Sequence, residues 1–349
     1  MTTPYLPQLA TVHRSPTASD QERSAVSAVS AADLAVFAEL AALLADQHTS
    51  DVLVNGEQVW VDRGSGLEPV SLWIAEGSDA LARRLIAAGG RHLDEVTPIA
   101  DVRLGQVRVH AVLPPVALGG ALISLRIARP SQLGLDELQQ AGVLSAWQRA
   151  QLTDCLNRGE SVLISGATGS GKTTLLRALC AELPAAERIL TIEDVAELQI
   201  PHPHVVALEA RQPNIEGTGA IELAELLRAA LRMRPDRLMV GECRGSEIRE
   251  FLGALNTGHS GGGTIHANTI DDVVARLEAL GALAGLHGAA LGRQVASAFG
   301  LVAHLERRDG RRRCAALARP RMRSGELWLE AVHPEPSAER GEPHERRLV

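Results

Sequence analysis

The stretch SVLISGATGSGKTT, residues 161–174, decides the fold. Val162, Leu163 and Ile164 form a short apolar run that ends at Gly166. The pattern Gly-x-x-x-x-Gly-Lys-Thr then fills residues 166–173, and an apolar-periodic segment starts at Thr174. Strand, glycine-rich loop and helix start are the context that a phosphate-binding loop needs. The glycines let successive backbone N–H groups turn inward around an anion, and the helix points its positive end at the same anion. Gly166, Ala167, Thr168, Gly169, Ser170, Gly171, Lys172, Thr173 and Thr174 are therefore expected to surround nucleotide phosphates. Lys172 should reach the β- and γ-phosphates, and the Thr173 hydroxyl should ligate Mg²⁺. Of the 35 lysines and arginines in the chain, Lys172 is the only lysine. A compact ammonium fits inside a phosphate cradle where a planar guanidinium does not.

The rest of the composition sets limits. A chain of 349 residues suggests two domains with tails. Aromatic residues make up 2%, so the cores must be built from Leu, Val, Ile and Ala. The net charge of −7 and pI near 6.0 weigh against a dedicated nucleic-acid binder, so nucleic acid is not the expected partner. No window has the apolar length of a membrane span, and no signal-peptide pattern opens the chain. The expected location is cytoplasmic, with any membrane association made through partners. Cys155, Cys180, Cys243 and Cys314 show neither C-x-x-C nor zinc spacing and read as reduced thiols.

Taken in order, residues 1–30 read as a flexible tail and residues 31–47 as an amphipathic helix. DVLVNGEQVWVDR (51–63) reads as a hairpin turning at Asn55-Gly56, followed by a short helix over 78–88 and strands in VRVHAVLPP and ALISLRI. Residues 31–128 are thus expected to form a small α/β domain with a leading helix, and residues 129–143 a linker. Residues 144–330 alternate helix and strand around the phosphate loop. Strands are expected near 188–192, 205–208 and 237–241, with helices over 221–232, 246–256 and 270–280. That order implies a mostly parallel sheet with helices on both faces. Residues 331–349 read as a disordered tail.

The carboxylates add the chemistry. Glu242 follows the buried-type strand LMVG, and in open parallel sheets the strand ends line the ligand crevice. It is the expected group to orient or deprotonate the attacking water. Glu193, Asp194 and Glu197 crowd another strand end. Mg²⁺ is the cation expected to offset their repulsion, with Glu193 and Asp194 the main candidates. The glycine-rich segment 257–268 reads as a mobile or closely approached loop, with His266 as a γ-phosphate sensor and His259 equally suited to a structural role. Its histidine spacing does not suit zinc. Arg103, Arg108, Arg126, Arg211 and Arg244 are candidates to neutralise transition-state charge.

Four segments in this order, GATGSGKTT, TIEDVAEL, LRMRPDRLMVGECRGSE and NTGHSGGGTIHANT, resemble the Walker A, Asp box, Walker B and His box of the type II/type IV secretion ATPases. DVLVNG, RHLDEVTPIADVRL, VRVHAVLPP and LISLR resemble that superfamily's N-terminal domain, and the chain looks most like the CpaF-like ATPases of tight-adherence (Tad/Flp) pilus systems and conjugation-associated relatives. The resemblance implies a RecA-like P-loop ATPase, ATP and Mg²⁺ as cofactors, and a homo-hexameric ring at an inner-membrane platform protein. Such a ring would drive pilin extraction or protein export, with DNA transfer as the alternative. By the same resemblance Glu242 is the Walker B acid, His266 the His-box sensor, and Arg126 and Arg108 small-domain arginines able to reach a γ-phosphate.

Overall fold

Period-two alternation of apolar residues lays down the first sheet. The computed structural model describes residues 35–127, 133–211 and 218–334, and the chain divides into two compact units, 1–129 and 130–349. In the N-terminal unit, strands Asp51–Asn55 (β1), Gln58–Asp62 (β2), Leu67–Val70 (β3), Ile99–Leu104 (β4), Val107–Val112 (β5) and Leu122–Ile127 (β6) form one sheet in the order β3-β2-β1-β6-β5-β4. Every pairing is antiparallel. Val52, Val54, Val59, Val61, Val107, Val109, Ile123 and Leu125 are buried together. Antiparallel sheets can leave one face wet, and the intervening residues Ser124 and Arg126 are exposed.

Two helical segments contribute to that core, Ala41–Ala45 (α1) and Ser78–Ala88 (α2). The helix expected over 31–47 is broken. A 3-10 turn at Ala38–Leu40 precedes α1, and Ala38 has φ +46°. The break brings Phe37, Leu40 and Leu44 fully into the core. Burial of three large side chains outweighs the modest cost of a lost helical turn. The start of that expected helix lies outside the described residues, as do the expected tail 1–30 and all but the first residues of the tail expected over 331–349.

The C-terminal unit begins with Leu135–Gln140 (α3), inside the segment expected as linker, and Leu135 and Leu138 are buried in this unit's own core. Then follow Ala146–Asn157 (α4), Ser161–Gly166 (β7), Lys172–Ala181 (α5), Ile189–Glu193 (β8), Val205–Glu209 (β9), Leu223–Ala230 (α6), Arg237–Cys243 (β10), Ile248–Asn256 (α7), Ser260–His266 (β11), Asp272–Leu283 (α8), Gly288–Ala298 (α9), Phe299–Arg308 (β12), Arg311–Arg323 (β13) and Glu326–Ala331 (β14). The sheet order is β14-β13-β12-β7-β11-β10-β8-β9. From β12 to β9 all neighbours are parallel, while β13 and β14 add an antiparallel edge. Leu163, Leu190, Ile192, Leu238 and Val240 pack with α6, α7, α8 and α9. Val162, Ile164, Ile189 and Met239 pack with α3, α4 and α5. Apolar residues on both faces are what a parallel sheet covered by helices demands.

The glycine-rich segment 257–268 proves to be mostly strand. Gly261, Gly262 and Gly263 lie in β11, between β7 and β10. A Cβ on Gly261 would sit 1.9 Å from the Leu238 carbonyl oxygen, and one on Gly263 would sit 3.0 Å from the Phe251 ring. These glycines let α7 and β10 approach the centre of the sheet. Close packing, rather than mobility, is their reason.

Candidate phosphate-binding site

Because the strands are parallel, their C-terminal ends gather at one edge. His266 is paired in register with Gly166, Thr264 with Ile164, and Val240 with both Gly263 and Ile192. Gly166, Glu193 and His266 therefore close β7, β8 and β11 at the same end of the sheet, with Glu242 one residue before the end of β10. That edge is where open α/β sheets bind ligands.

The loop between β7 and α5 has the backbone its glycines permit. Gly169 has φ +74° and Gly171 φ +100°, conformations that L side chains seldom adopt. A Cβ on Gly166 would lie 2.3 Å from the Leu305 carbonyl oxygen and 2.5 Å from Ser170 Oγ. Lys172 is buried, and its Nζ donates to the carbonyl oxygens of Gly166 (2.9 Å) and Ala167 (3.0 Å). Burial lowers the lysine's pKa; the Glu242 carboxylate opposes that fall and Arg244 adds to it. Ser170 Oγ is buried without a hydrogen-bond partner. An ammonium satisfied only by loop carbonyls and an orphaned hydroxyl mark a cradle suited to phosphate oxygens, so the residues fit a nucleotide. Ala167, Thr173 and Thr174 are half-buried around it, and Thr168 and Gly169 are exposed.

The acidic side chains differ sharply. Glu242 accepts from Arg244 (2.7 Å), whose other nitrogen lies 3.8 Å from Asp194. Arg244 thus spans two of the expected carboxylates. Glu193 is turned inward at 4% exposure, and its Oε1 accepts the N–H groups of Glu197 and Leu198, both at 3.0 Å. Burial pushes its pKa up to about 7; the two N–H bonds oppose that rise, while Glu197 and Glu209 add to it. Gly241 makes room for it, since a Cβ there would be 2.7 Å from Glu193 Cγ. Among the described residues no three His, Cys, Asp or Glu side chains converge as a metal cage. Thr173 and Asp194 offer hard oxygen donors, and Mg²⁺ ordinarily takes one or two such protein ligands with phosphates and waters for the rest.

The other expected residues are placed as follows. His266 ends β11, half-buried. His259 sits behind α7, with Nδ1 3.3 Å from the Ala254 carbonyl oxygen, a structural position. Arg108 and Arg126 face each other across β5 and β6 on the exposed side of the N-terminal sheet, and Arg108 pairs with Asp101 at 3.5 Å. Arg103 is opposite Arg108 on β4. Arg211 donates to the Gly219 carbonyl.

Two supporting groups escaped sequence reasoning. Glu247, at 7% exposure, accepts the N–H groups of Arg244 and Gly245 and fixes the turn after Glu242. Its signal was a carboxylate three residues after Arg244, a local capping pattern. His304 is buried in β12 with Nδ1 2.9 Å from Ser165 Oγ, directly beneath the phosphate loop, and its ring also bonds the Asn268 backbone. Burial lowers its pKa. No local motif marks it, because its partners come from β7 and from the loop after β11.

The Type II/IV secretion system protein family matches residues 34–331. A Mycobacterium tuberculosis (strain H37Rv) protein named for conjugal transfer is 46% identical over 302 residues, covering 83% of this chain and 86% of its own. The type IV secretion system protein PtlH of Bordetella pertussis is 37% identical over 268 residues, covering 67% and 77%. Among solved structures, the Legionella pneumophila ATPase DotB aligns with TM-score 0.54 at 24% identity, covering 78% of this chain and 76% of that one, a likeness of fold. The chain belongs to the Type II/IV secretion system protein family and has the fold of its ATPases.

Proposed function

We propose that the chain is the Mg²⁺-dependent ATPase motor of a pilus-assembly or secretion machine. The observation that carries this reading is the phosphate loop itself, where the buried Lys172 ammonium is held by the Gly166 and Ala167 carbonyls beside the orphaned Ser170 hydroxyl. In it, Lys172 and the N–H groups of residues 167–173 bind the β- and γ-phosphates. Glu242 accepts the proton of the water that attacks the γ-phosphorus, and Arg244 holds that carboxylate in place. Mg²⁺, held through Thr173 and Asp194, would offset charge on the phosphate oxygens. Glu193 fixes the backbone of residues 197 and 198 behind them, and His266 reports on the γ-phosphate from the neighbouring strand.

The finer parts of the reading concern assembly. The working form is a homo-hexamer on the cytoplasmic side of an inner-membrane platform protein, and Arg108 and Arg126 supply positive charge to a γ-phosphate. The Tad/Flp pilus branch is the favoured cargo system. A second reading, a DNA-transfer motor, is favoured by the conjugal-transfer name of the mycobacterial relative. The test is phosphate release from Mg-ATP by the purified full chain and by Lys172→Ala. We expect turnover that rises with oligomer formation and vanishes in the variant. Full activity in Lys172→Ala overturns the reading. Stimulation by DNA that falls with added salt selects the second cargo.

A further inference from the structure

The antiparallel hairpin of β12 and β13 does more than close the sheet. Its tip reads Arg307-Arg308-Asp309-Gly310-Arg311-Arg312-Arg313, and one of these arginines leaves the hairpin for the phosphate loop. Arg312 donates from Nε to the Gly169 carbonyl oxygen at 2.9 Å, and its Cδ lies 3.4 Å from where a Cβ on Gly171 would be. Arg313, its neighbour, pairs with Glu306 instead.

We propose that Arg312 is a positioning residue for nucleotide binding, a clamp on the outer wall of the phosphate loop. This rests on the reading of residues 166–173 as the phosphate site. In a trans peptide the carbonyl and the next N–H point to opposite sides. With the Gly169 carbonyl tied outward by Arg312, the Ser170 N–H is turned inward, where it meets the Ala167 carbonyl oxygen at 3.3 Å. That long bond is readily exchanged for a phosphate oxygen. Gly169 is exposed, lacks a Cβ and sits at φ +74°, so its peptide has little else to stop it rotating. A guanidinium suits the task because Nε–H can bond the carbonyl while the positive charge stays beside the anion site. The clamp acts equally on ground state and transition state, so it should change affinity and leave the chemical step alone.

The experiment uses the full chain with Arg312→Ala, Arg312→Lys, Arg313→Ala and Lys172→Ala. It reads the Kd for a fluorescent N-methylanthraniloyl-ADP with Mg²⁺, KM and kcat for ATP, and the nucleotide-free melting temperature. Arg312→Ala is expected to raise Kd and KM together by about tenfold, the loss typical of one charge-assisted hydrogen bond, with kcat and melting temperature unchanged. Arg312→Lys should recover part of the affinity, and Arg313→Ala should match the wild type. An unchanged Kd in Arg312→Ala overturns the clamp. So does an equal loss in Arg313→Ala, which would assign the effect to the hairpin's overall charge. Wild-type affinity in Lys172→Ala would instead remove the phosphate-site reading beneath it, a result legible apart from the Arg312 arms.

Discussion

Replacing Glu193 by Gln should make the protein more stable at pH 8 and leave it nearly unchanged at pH 4. Glu193 is 4% exposed, and burial raises its pKa from 4.5 to about 7. The folded state therefore favours the protonated acid more than the unfolded chain does. Below pH 4.5 both states carry the proton and the group costs nothing. As pH rises towards 7 the unfolded chain ionises first and folding loses stability. A tenfold difference in proton affinity between the two states is worth about 1.4 kcal/mol, so the full penalty above pH 7 is about 3 kcal/mol, shrinking to less than about 1 kcal/mol at pH 5. Gln keeps an oxygen to accept the N–H groups of Glu197 and Leu198, and it removes the charge. Urea unfolding of wild type and Glu193→Gln without nucleotide, at pH 5 and pH 8, measures the difference directly. A gap of the same size at both pH values, or a less stable variant at pH 8, refutes the reasoning. Turnover should fall in the same variant, because a stabilising change at a strained site commonly costs function.

Glu242→Gln should lower kcat for ATP by roughly a hundredfold or more while nucleotide binding persists, as befits the loss of a positioned base; equilibrium binding and phosphate release in parallel check it. Gly253→Ala, in α7 with open space where the methyl would stand, should stabilise the fold by about 0.5–1 kcal/mol in urea unfolding. Gly261→Ala, whose methyl would lie 1.9 Å from the Leu238 carbonyl oxygen, should yield no soluble folded protein, read by expression and circular dichroism.

What sequence reasoning could see followed from locality. Residues 166–173 carry their own strand, turn and helix signals within one window. Lys172 and the loop glycines were therefore legible, and so was the strand-end position of Glu242. The segment 257–268 left mobility and close approach both open, because its four glycines fit either locally; the Leu238 carbonyl and the Phe251 ring that exclude side chains there come from β10 and α7. Strands β13 and β14 were overlooked because an arginine-rich run conceals alternation. Yet both turns were written in the chain: Asp309-Gly310 (φ +52° and +76°) and Ser324-Gly325 (φ +53° and +88°) each link two strands with positive φ at both positions. That is the signature of two-residue hairpins.

The same contrast separates the carboxylates. Glu193, Asp194 and Glu197 are alike as sequence, three acids at a strand end. In the fold, Glu193 turns into the core and Asp194 and Glu197 remain exposed. The deciding residue is Gly241 on the adjacent strand, whose missing side chain leaves the space that Glu193 fills. A glycine immediately before Glu242 thus governs a carboxylate forty-eight positions earlier in the chain. The parallel pairing of β8 with β10 joins them, and that pairing is a property of the sheet that no single window contains.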